Sequence, residues 1–321
     1  MSENTPDLHS IIENAWEEKY RPQTLSEIAL NSRVRETLQK HIEDGVIPNL
    51  FLCSSPGQGK TSLARILAND VFKVDNLYLN ASNENSVDTI RNKVTNFVNT
   101  KSLMGNFKIV IMDEIDGCTH VQPQRILRVL MEEVVDNARF IIIANDSSCV
   151  LDALRSRCLF LDITPDKKEV WKRLMYILRN EGVEITPETK ESLSYIAKRY
   201  YPDIRQMIVY LKSCVQDGTL TLDGLKKNFD LVQDVVDLIK GGDGFGARKM
   251  IVENESSFFY DYSRLLDDIY KKLVDDVSIP SQKRAQCVIE IADYLAKMPS
   301  VVDAELNTAA CIFSITNILI S

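Results

Sequence analysis

Short apolar runs and helical stretches alternate through the first half of the chain. The runs are Leu50–Cys53, Leu77–Leu79, Ile109–Met112, Phe140–Ala144 and Leu159–Ile163. Helical periodicity fills 63–72, 87–100 and 121–135 between them. Residues 32–44 add an amphipathic helix carrying Val34, Leu38 and Ile42 and closed by Gly45. A further helical stretch, Asp7–Lys19, leads into Tyr20-Arg21-Pro22 and a polar turn. Strands alternating with helices predict an α/β domain with a parallel sheet, and ligands at the C-terminal ends of its strands. That domain is expected to span 1–164.

From Pro165 onward no strand run is expected, only amphipathic helices. Those at 166–181, 187–199, 203–214 and 221–228 predict a small helical domain over 165–228. Those at 230–240, 246–256, 261–276, 282–297 and 302–320 predict an all-α domain over 229–321. Gly241-Gly242-Asp243-Gly244 reads as a turn between helices, because no strand precedes it and no Gly-Lys-Ser/Thr follows.

The loop after the first run changes the picture from fold to chemistry. Ser54-Ser55-Pro56-Gly57-Gln58-Gly59-Lys60-Thr61-Ser62 lies between a strand and a periodic stretch, the context of a phosphate-binding loop. Gly57 and Gly59 let successive N–H groups turn inward around a phosphate. The helix that follows adds the positive end of its dipole. Lys60 can reach the β- and γ-phosphates of a bound nucleotide, and the Thr61 hydroxyl can ligate Mg²⁺. The loop departs from G-x-x-x-x-G-K-[ST] at its first position, where Ser54 stands in place of glycine.

A second strand, Lys108 to Met112, ends in two carboxylates, Asp113 and Glu114. Beside a phosphate loop, Asp113 would hold Mg²⁺ directly or through water, and Glu114 would orient and polarise an attacking water. Asn145 ends the Phe140–Ala144 run. It would lie next to the γ-phosphate if that strand runs between the other two; otherwise it is a turn-forming residue before Asp146. Arg157 precedes the last run and is either a surface charge or an arginine finger for a neighbouring subunit's ATP, a contact worth roughly 10³–10⁵ in rate. Arg205 opens a helix of the second domain, and either reaches back to the γ-phosphate or pairs with Asp203.

Composition narrows the setting. The 321 residues carry a formal net charge of −8, so any DNA contact must come from a local surface rather than from the chain as a whole. Seven cysteines without a C-x-x-C pair, and three histidines, speak against a zinc site or a disulfide framework. The first residues lack the basic and apolar regions of a signal peptide. The apolar stretch Ala309–Ile320 is too short to span a bilayer, so an intracellular, soluble protein is expected.

Taken together, these residues resemble the AAA+ ATPases, and within them the sliding-clamp-loader subunits. Glu18-Lys19-Tyr20-Arg21-Pro22 is similar to the clamp-loader N-terminal motif. Asn80-Ala81-Ser82 followed by Val87 to Lys93 resembles the N-A-S-D-D-R-G-I-D-x-x-R-N-K stretch of replication factor C small subunits. Gln124, Arg128 and Glu132 resemble their A-Q-x-A-L-R-R-x-M-E helix, and Ser156-Arg157-Cys158 their S-R-C box. The length and the Tyr201-Pro-Asp-Ile-Arg205 variant look nearest to the large subunit of T-even-type phage clamp loaders. The resemblance implies a helical lid at 165–228 and a collar at 229–321. It makes Asn145 sensor 1, Arg205 sensor 2 and Arg157 a finger acting in trans. It also implies that the Glu18–Pro22 motif, above all Tyr20-Arg21-Pro22, lines the adenine and ribose together with Ile28 and Ala29. The segment 83–91, with Asn85, Ser86 and Arg91, would face DNA inside a spiral of subunits. Asn85 stands where the family has a basic residue, so that DNA contact and its coupling to the glutamate are either absent here or carried by another group.

The implied function is that of an ATPase subunit using ATP and Mg²⁺. Its partners would be a sliding clamp, primer–template DNA, and other subunits in a pentamer. ATP binding would open and hold the clamp, and DNA-triggered hydrolysis would release it. Two alternatives differ in sequence. A branch-migration helicase or helicase loader would bring a winged-helix third domain, for which 229–321 show neither a basic recognition helix nor a β-hairpin. A non-hydrolysing scaffold subunit would tend to lose the phosphate-loop lysine or the glutamate, and Lys60 and Glu114 are both present.

Overall fold

The computed structural model describes residues 15–82, 87–100, 102, 104–117, 122–220, 223–258 and 260–321. Contacts within the chain separate into two compact units, 1–221 and 222–321.

The first unit holds a five-stranded sheet of β1 (Leu50–Cys53), β2 (Asn76–Asn80), β3 (Lys108–Asp113), β4 (Ala138–Ala144) and β5 (Leu159–Asp162). The order is β2-β3-β4-β1-β5, with every pair parallel. β1 and β3 are buried throughout, as continuous apolar runs require. Side chains alternate between faces. Leu50, Leu52, Ile109, Ile111, Ile141 and Ile143 enter one core, with α2 (Ser32–Glu43) and α3 (Lys60–Ile66). Phe51, Val110, Met112, Phe140 and Ile142 enter the other, with α4 (Val87–Asn99), α5 (Gln122–Glu133) and α6 (Asp152–Arg155). Phe51 and Phe140 are almost fully buried, and each such side chain contributes about 2 kcal/mol of transfer free energy.

Local signals set the helix starts. Asn31 caps α2 by accepting from the Val34 N–H at 2.9 Å, and its amide nitrogen donates to the Asp162 and Thr164 carbonyls, tying α2 to the end of β5. α3 starts at Lys60, earlier than the apolar spacing predicts, because Gly59 supplies a left-handed cap at φ 92°, and a π turn carries the helix on to Val71. Of the helix predicted over 7–19, the described part is helical only at α1 (Trp16–Lys19).

Three helices follow in the same unit: α7 (Lys167–Asn180), α8 (Pro187–Tyr200) and α9 (Ile204–Cys214). A hairpin of β6 (Val215–Gln216) and β7 (Thr219–Leu220) closes it, where only helices are expected from the sequence. Asp217 and Gly218 both have positive φ, 49° and 74°, the two-residue turn that suits a tight hairpin.

The second unit is helical among its described residues: α10 (Asp223–Lys240), α11 (Gly244–Glu253), α12 (Tyr262–Asp275), α13 (Ser281–Lys297) and α14 (Ala304–Ile320). Helices predicted at 221–228 and 230–240 form the single α10, since neither glycine nor proline interrupts 225–239. Asp243, Asp261 and Asp303 cap α11, α12 and α14. Val235, Ile239, Leu266, Ile269, Ile312 and Ile315 lie in its core. No helix among the described residues is long and apolar enough to cross a membrane.

Candidate functional site: a phosphate loop facing two carboxylates

A cavity of about 350 Å³ opens at the C-terminal ends of β1, β3 and β4. The turn after β1 makes one wall, with Pro56, Gly57, Gln58, Gly59, Lys60, Thr61 and Ser62 among its lining. Gly57 lies at φ 74°, and a Cβ there would meet the Asp203 carboxylate at 1.8 Å. Only glycine lets the loop run this close to the start of α9, where Asp203 caps the helix through the Gln206 N–H and the Arg205 N–H donates to the Gly57 carbonyl at 3.2 Å.

Lys60 is buried. Its Nζ donates to the Ser54 and Ser55 carbonyls at 2.6 and 2.8 Å, which preserves the curl of the loop. Burial lowers the lysine pKa, with Cys53, Asp116 and Asp113 opposing the shift. β4 pairs with both β3 and β1, so Asn145 leaves the sheet between Asp113 and the phosphate loop. Its backbone N–H donates to Asp116 Oδ2 at 2.9 Å, and that of Asp146 to the same oxygen at 3.3 Å. Asp116 thereby links the turn after β3 to the end of β4.

The two carboxylates have different surroundings. Asp113 is buried. Its Oδ2 accepts from Thr61 Oγ1 at 2.7 Å and from the Tyr78 hydroxyl at 2.9 Å, and its Oδ1 from the Glu114 N–H at 2.9 Å. Glu114 is exposed, has φ 53°, and accepts from Asn80 Nδ2 at 3.1 Å. A non-glycine residue held in the left-handed region at a site of this kind is stored strain of order 1–3 kcal/mol.

Among the described residues no group of three or more His, Cys, Asp or Glu side chains could hold a metal ion. The hydroxyl and carboxylate oxygens of Thr61 and Asp113, 2.7 Å apart at the mouth of the phosphate loop, nevertheless fit Mg²⁺. That ion takes hard oxygen ligands and is commonly held by one or two protein groups, substrate phosphates and waters.

The far wall of the cavity includes Tyr20, Arg21, Pro22, Ile28, Ala29, Ile204, Arg205 and Ile208. Arg173 of α7, Glu27, Arg65 and Tyr78 also line it, none of them singled out by the sequence. Arg173 is buried. Its Nη2 donates to the Tyr20 carbonyl at 2.7 Å, and Glu27 lies 3.9 Å away. Glu18 and Lys19 are not lining residues. Glu18 pairs with Arg21, and Lys19 with Glu181 at the end of α7, both at 2.6 Å. The Tyr20 hydroxyl donates to the same Glu181 oxygen at 2.5 Å. Arg157 is likewise outside the cavity and is held by Glu132 and by the Ala153 carbonyl. Arg91 is exposed on α4, while Asn85 and Ser86 lie outside the described residues.

Residues 50–162 match the family described as ATPase family associated with various cellular activities (AAA). The chain is 33% identical over 284 residues, 85% of each chain, to the replication factor C small subunit of Staphylothermus marinus. It is 32% identical over 304 residues, 91% of each chain, to that of Aeropyrum pernix. It is also 29% identical over 281 residues to the sliding-clamp-loader large subunit of Escherichia phage RB69, covering 84% of this chain and 87% of that one. A phosphate loop facing an Asp-Glu pair across a five-stranded parallel sheet, with identity running through most of both chains, makes this protein a member of the clamp-loader subunits of the AAA ATPases.

Proposed function

We propose that the chain is the ATP-hydrolysing subunit of a sliding-clamp loader, in which ATP binding opens and holds the clamp and DNA-triggered hydrolysis releases it on primer–template DNA. The observation that carries the reading is the convergence of Lys60, Thr61, Asp113, Glu114, Asn145 and Arg205 on one cavity, in a chain with clamp-loader relatives along most of its length.

Each group then has a role. The N–H groups of Gly57 to Lys60 cradle the phosphates, and Lys60 leaves the Ser54 and Ser55 carbonyls to neutralise the β- and γ-oxygens. Thr61 and Asp113 would hold Mg²⁺, which when bound would supply positive charge against the phosphate oxygens. Glu114 turns from Asn80 to aim and polarise a water, and Asn145 orients that water at the γ-phosphorus. Arg205 reports from the lid side. Tyr20, Arg21, Pro22, Ile28 and Ala29 enclose the base and ribose, with Glu18 and Lys19 bracing that segment from outside. Arg157 completes a neighbouring subunit's site.

The same reading divides the chain into a nucleotide-binding part (1–164), a lid (165–228) and a collar (229–321) that joins copies of this subunit and a different one into a pentamer. The segment 83–91, with Asn85, Ser86 and Arg91, faces primer–template DNA, recognised by shape and phosphates more than by base identity. The complex works in the cytoplasm.

The test is ATP hydrolysis by the chain mixed with its partner subunit, with and without primer–template DNA and a sliding clamp. Strong stimulation by the two ligands together is expected. Stimulation by duplex or forked DNA alone, indifferent to any clamp, would overturn the reading in favour of a helicase-class ATPase.

A further inference from the structure

Tyr78 stands outside every role assigned above, yet it touches the group on which metal binding depends. It lies on β2, and by alternation its side chain leaves the sheet on the face that carries α3. There its hydroxyl donates to Asp113 Oδ2 at 2.9 Å, beside the 2.7 Å bond from Thr61 to the same oxygen. An oxygen of this type has about two lone-pair positions, so both on Oδ2 are in use, while Oδ1 accepts only the Glu114 N–H and keeps one position for a cation or its water. The Arg65 guanidinium lies 4.5 Å from the centre of the Tyr78 ring and pins it from the cavity side. A phenol keeps its proton at neutral pH, so the hydroxyl is a donor here.

We infer that Tyr78 is a positioning residue for the metal site: its hydroxyl fixes the Asp113 carboxylate in the orientation that, with Thr61, receives a divalent cation, and Arg65 holds the ring that carries it. The inference rests on the assignment of Thr61 and Asp113 to Mg²⁺. A phenol suits the task because it donates a hydrogen bond without adding a positive charge that would repel the cation. A phenylalanine would fill the same space and lose only the bond. Loss of an outer-shell partner of a ligating carboxylate typically weakens metal binding about ten-fold or more.

The test uses the full chain, a fluorescent ADP analogue and MgCl₂, with no turnover. Nucleotide affinity is measured first in EDTA, then as a function of Mg²⁺. Tyr78→Phe is expected to raise the Mg²⁺ midpoint about ten-fold while leaving the EDTA affinity unchanged. Arg65→Met, which spares the hydroxyl but frees the ring, is expected to move the midpoint in the same direction by less. An unmoved midpoint in both variants overturns the inference. A Tyr78→Phe variant that weakens nucleotide binding equally in EDTA overturns it too, since the side chain would then act on the pocket and not on the carboxylate. If the unaltered protein shows no Mg²⁺ dependence, the metal assignment itself fails, and that outcome is visible before any variant is compared.

Discussion

Asn80 Nδ2 donates to Glu114 Oε2 at 3.1 Å, so the carboxylate proposed to activate water is tethered to β2, the outer strand beside β3. The tether lies beyond the phosphate loop, and Glu114 already carries a left-handed backbone. On the proposed role, a hydrolysis-ready glutamate gives this bond up. A hydrogen bond to a charged group, discounted for the exposure of Glu114, is worth about 1 kcal/mol, or roughly five-fold in rate. Asn80→Ala should therefore raise hydrolysis in the absence of DNA by about that factor and shrink the proposed stimulation by DNA. A basal rate that stays level or falls would mean that Asn80 supports the active position of Glu114 instead.

Arg157 is engaged within its own chain. Its Nε donates to Glu132 Oε1 at 2.8 Å, Nη2 donates to the same oxygen, and Nη1 donates to the Ala153 carbonyl. Both partners are partly exposed, at 32% and 49% of their side-chain surface, so the pair contributes at most about 1 kcal/mol to folding. Arg157→Ala should leave the melting temperature and ATP affinity of the isolated chain nearly unchanged, yet lower hydrolysis by the assembled complex by roughly 10³. Equal activity of the variant complex would remove Arg157 from the neighbouring site.

The nucleotide-binding sheet was legible because its central strands β1, β3 and β4 are buried on both faces. Runs such as Ile109–Met112 and Phe140–Ala144 need no alternation, and Pro56 to Thr61 punctuates them with a loop only phosphate chemistry explains. The hairpin at 215–220 was missed although Asp217-Gly218 is a strong turn signal, because its strands are two residues each and carry no period. α10 runs unbroken where two helices are expected, at 221–228 and 230–240, because no glycine or proline stands between 225 and 239 to end it. Arg173, Tyr78 and Arg65 left no trace in the sequence. Arg173 meets the Tyr20 carbonyl across 153 positions, and Tyr78 meets Asp113 across 35. Neither spacing belongs to a helix or strand period, so only the folded chain brings them together.

Gln58 presents a stability test inside the phosphate loop. It is 1% exposed, and neither amide atom has a hydrogen-bond partner. Such a group carries a desolvation penalty of about 1–3 kcal/mol. Gln58→Met, close in length and unbranched, should stabilise the nucleotide-free protein by about 1 kcal/mol, read as a higher denaturation midpoint. A lower midpoint would show that the amide is paired in solution, for instance through a buried water.

Glu181 joins the segment around Tyr20 to α7 and gives the first unit an acid-sensitive joint. Its carboxylate accepts from Lys19 Nζ and the Tyr20 hydroxyl. Burial alone would raise the Glu181 pKa, but the two hydrogen bonds and the Lys19 charge outweigh it, and the net shift is downward from 4.5. A carboxyl lowered on folding contributes stability that is complete above its unfolded pKa and is lost as pH falls through the folded one. The Tyr20 pKa is raised, by burial first and then by Glu181, so its hydroxyl stays a donor well above neutrality. The joint should therefore be indifferent to pH near neutrality and weaken only as pH drops below about 4.5. Lys19 is 40% exposed, which limits the contribution to about 1 kcal/mol. Comparing the thermal unfolding of the unaltered chain with that of Glu181→Gln over this range isolates the effect. The difference in melting temperature should be constant at neutral pH and close as the carboxylate protonates. A gap that persists undiminished in acid would mean that Glu181 holds the segment by shape and not by charge.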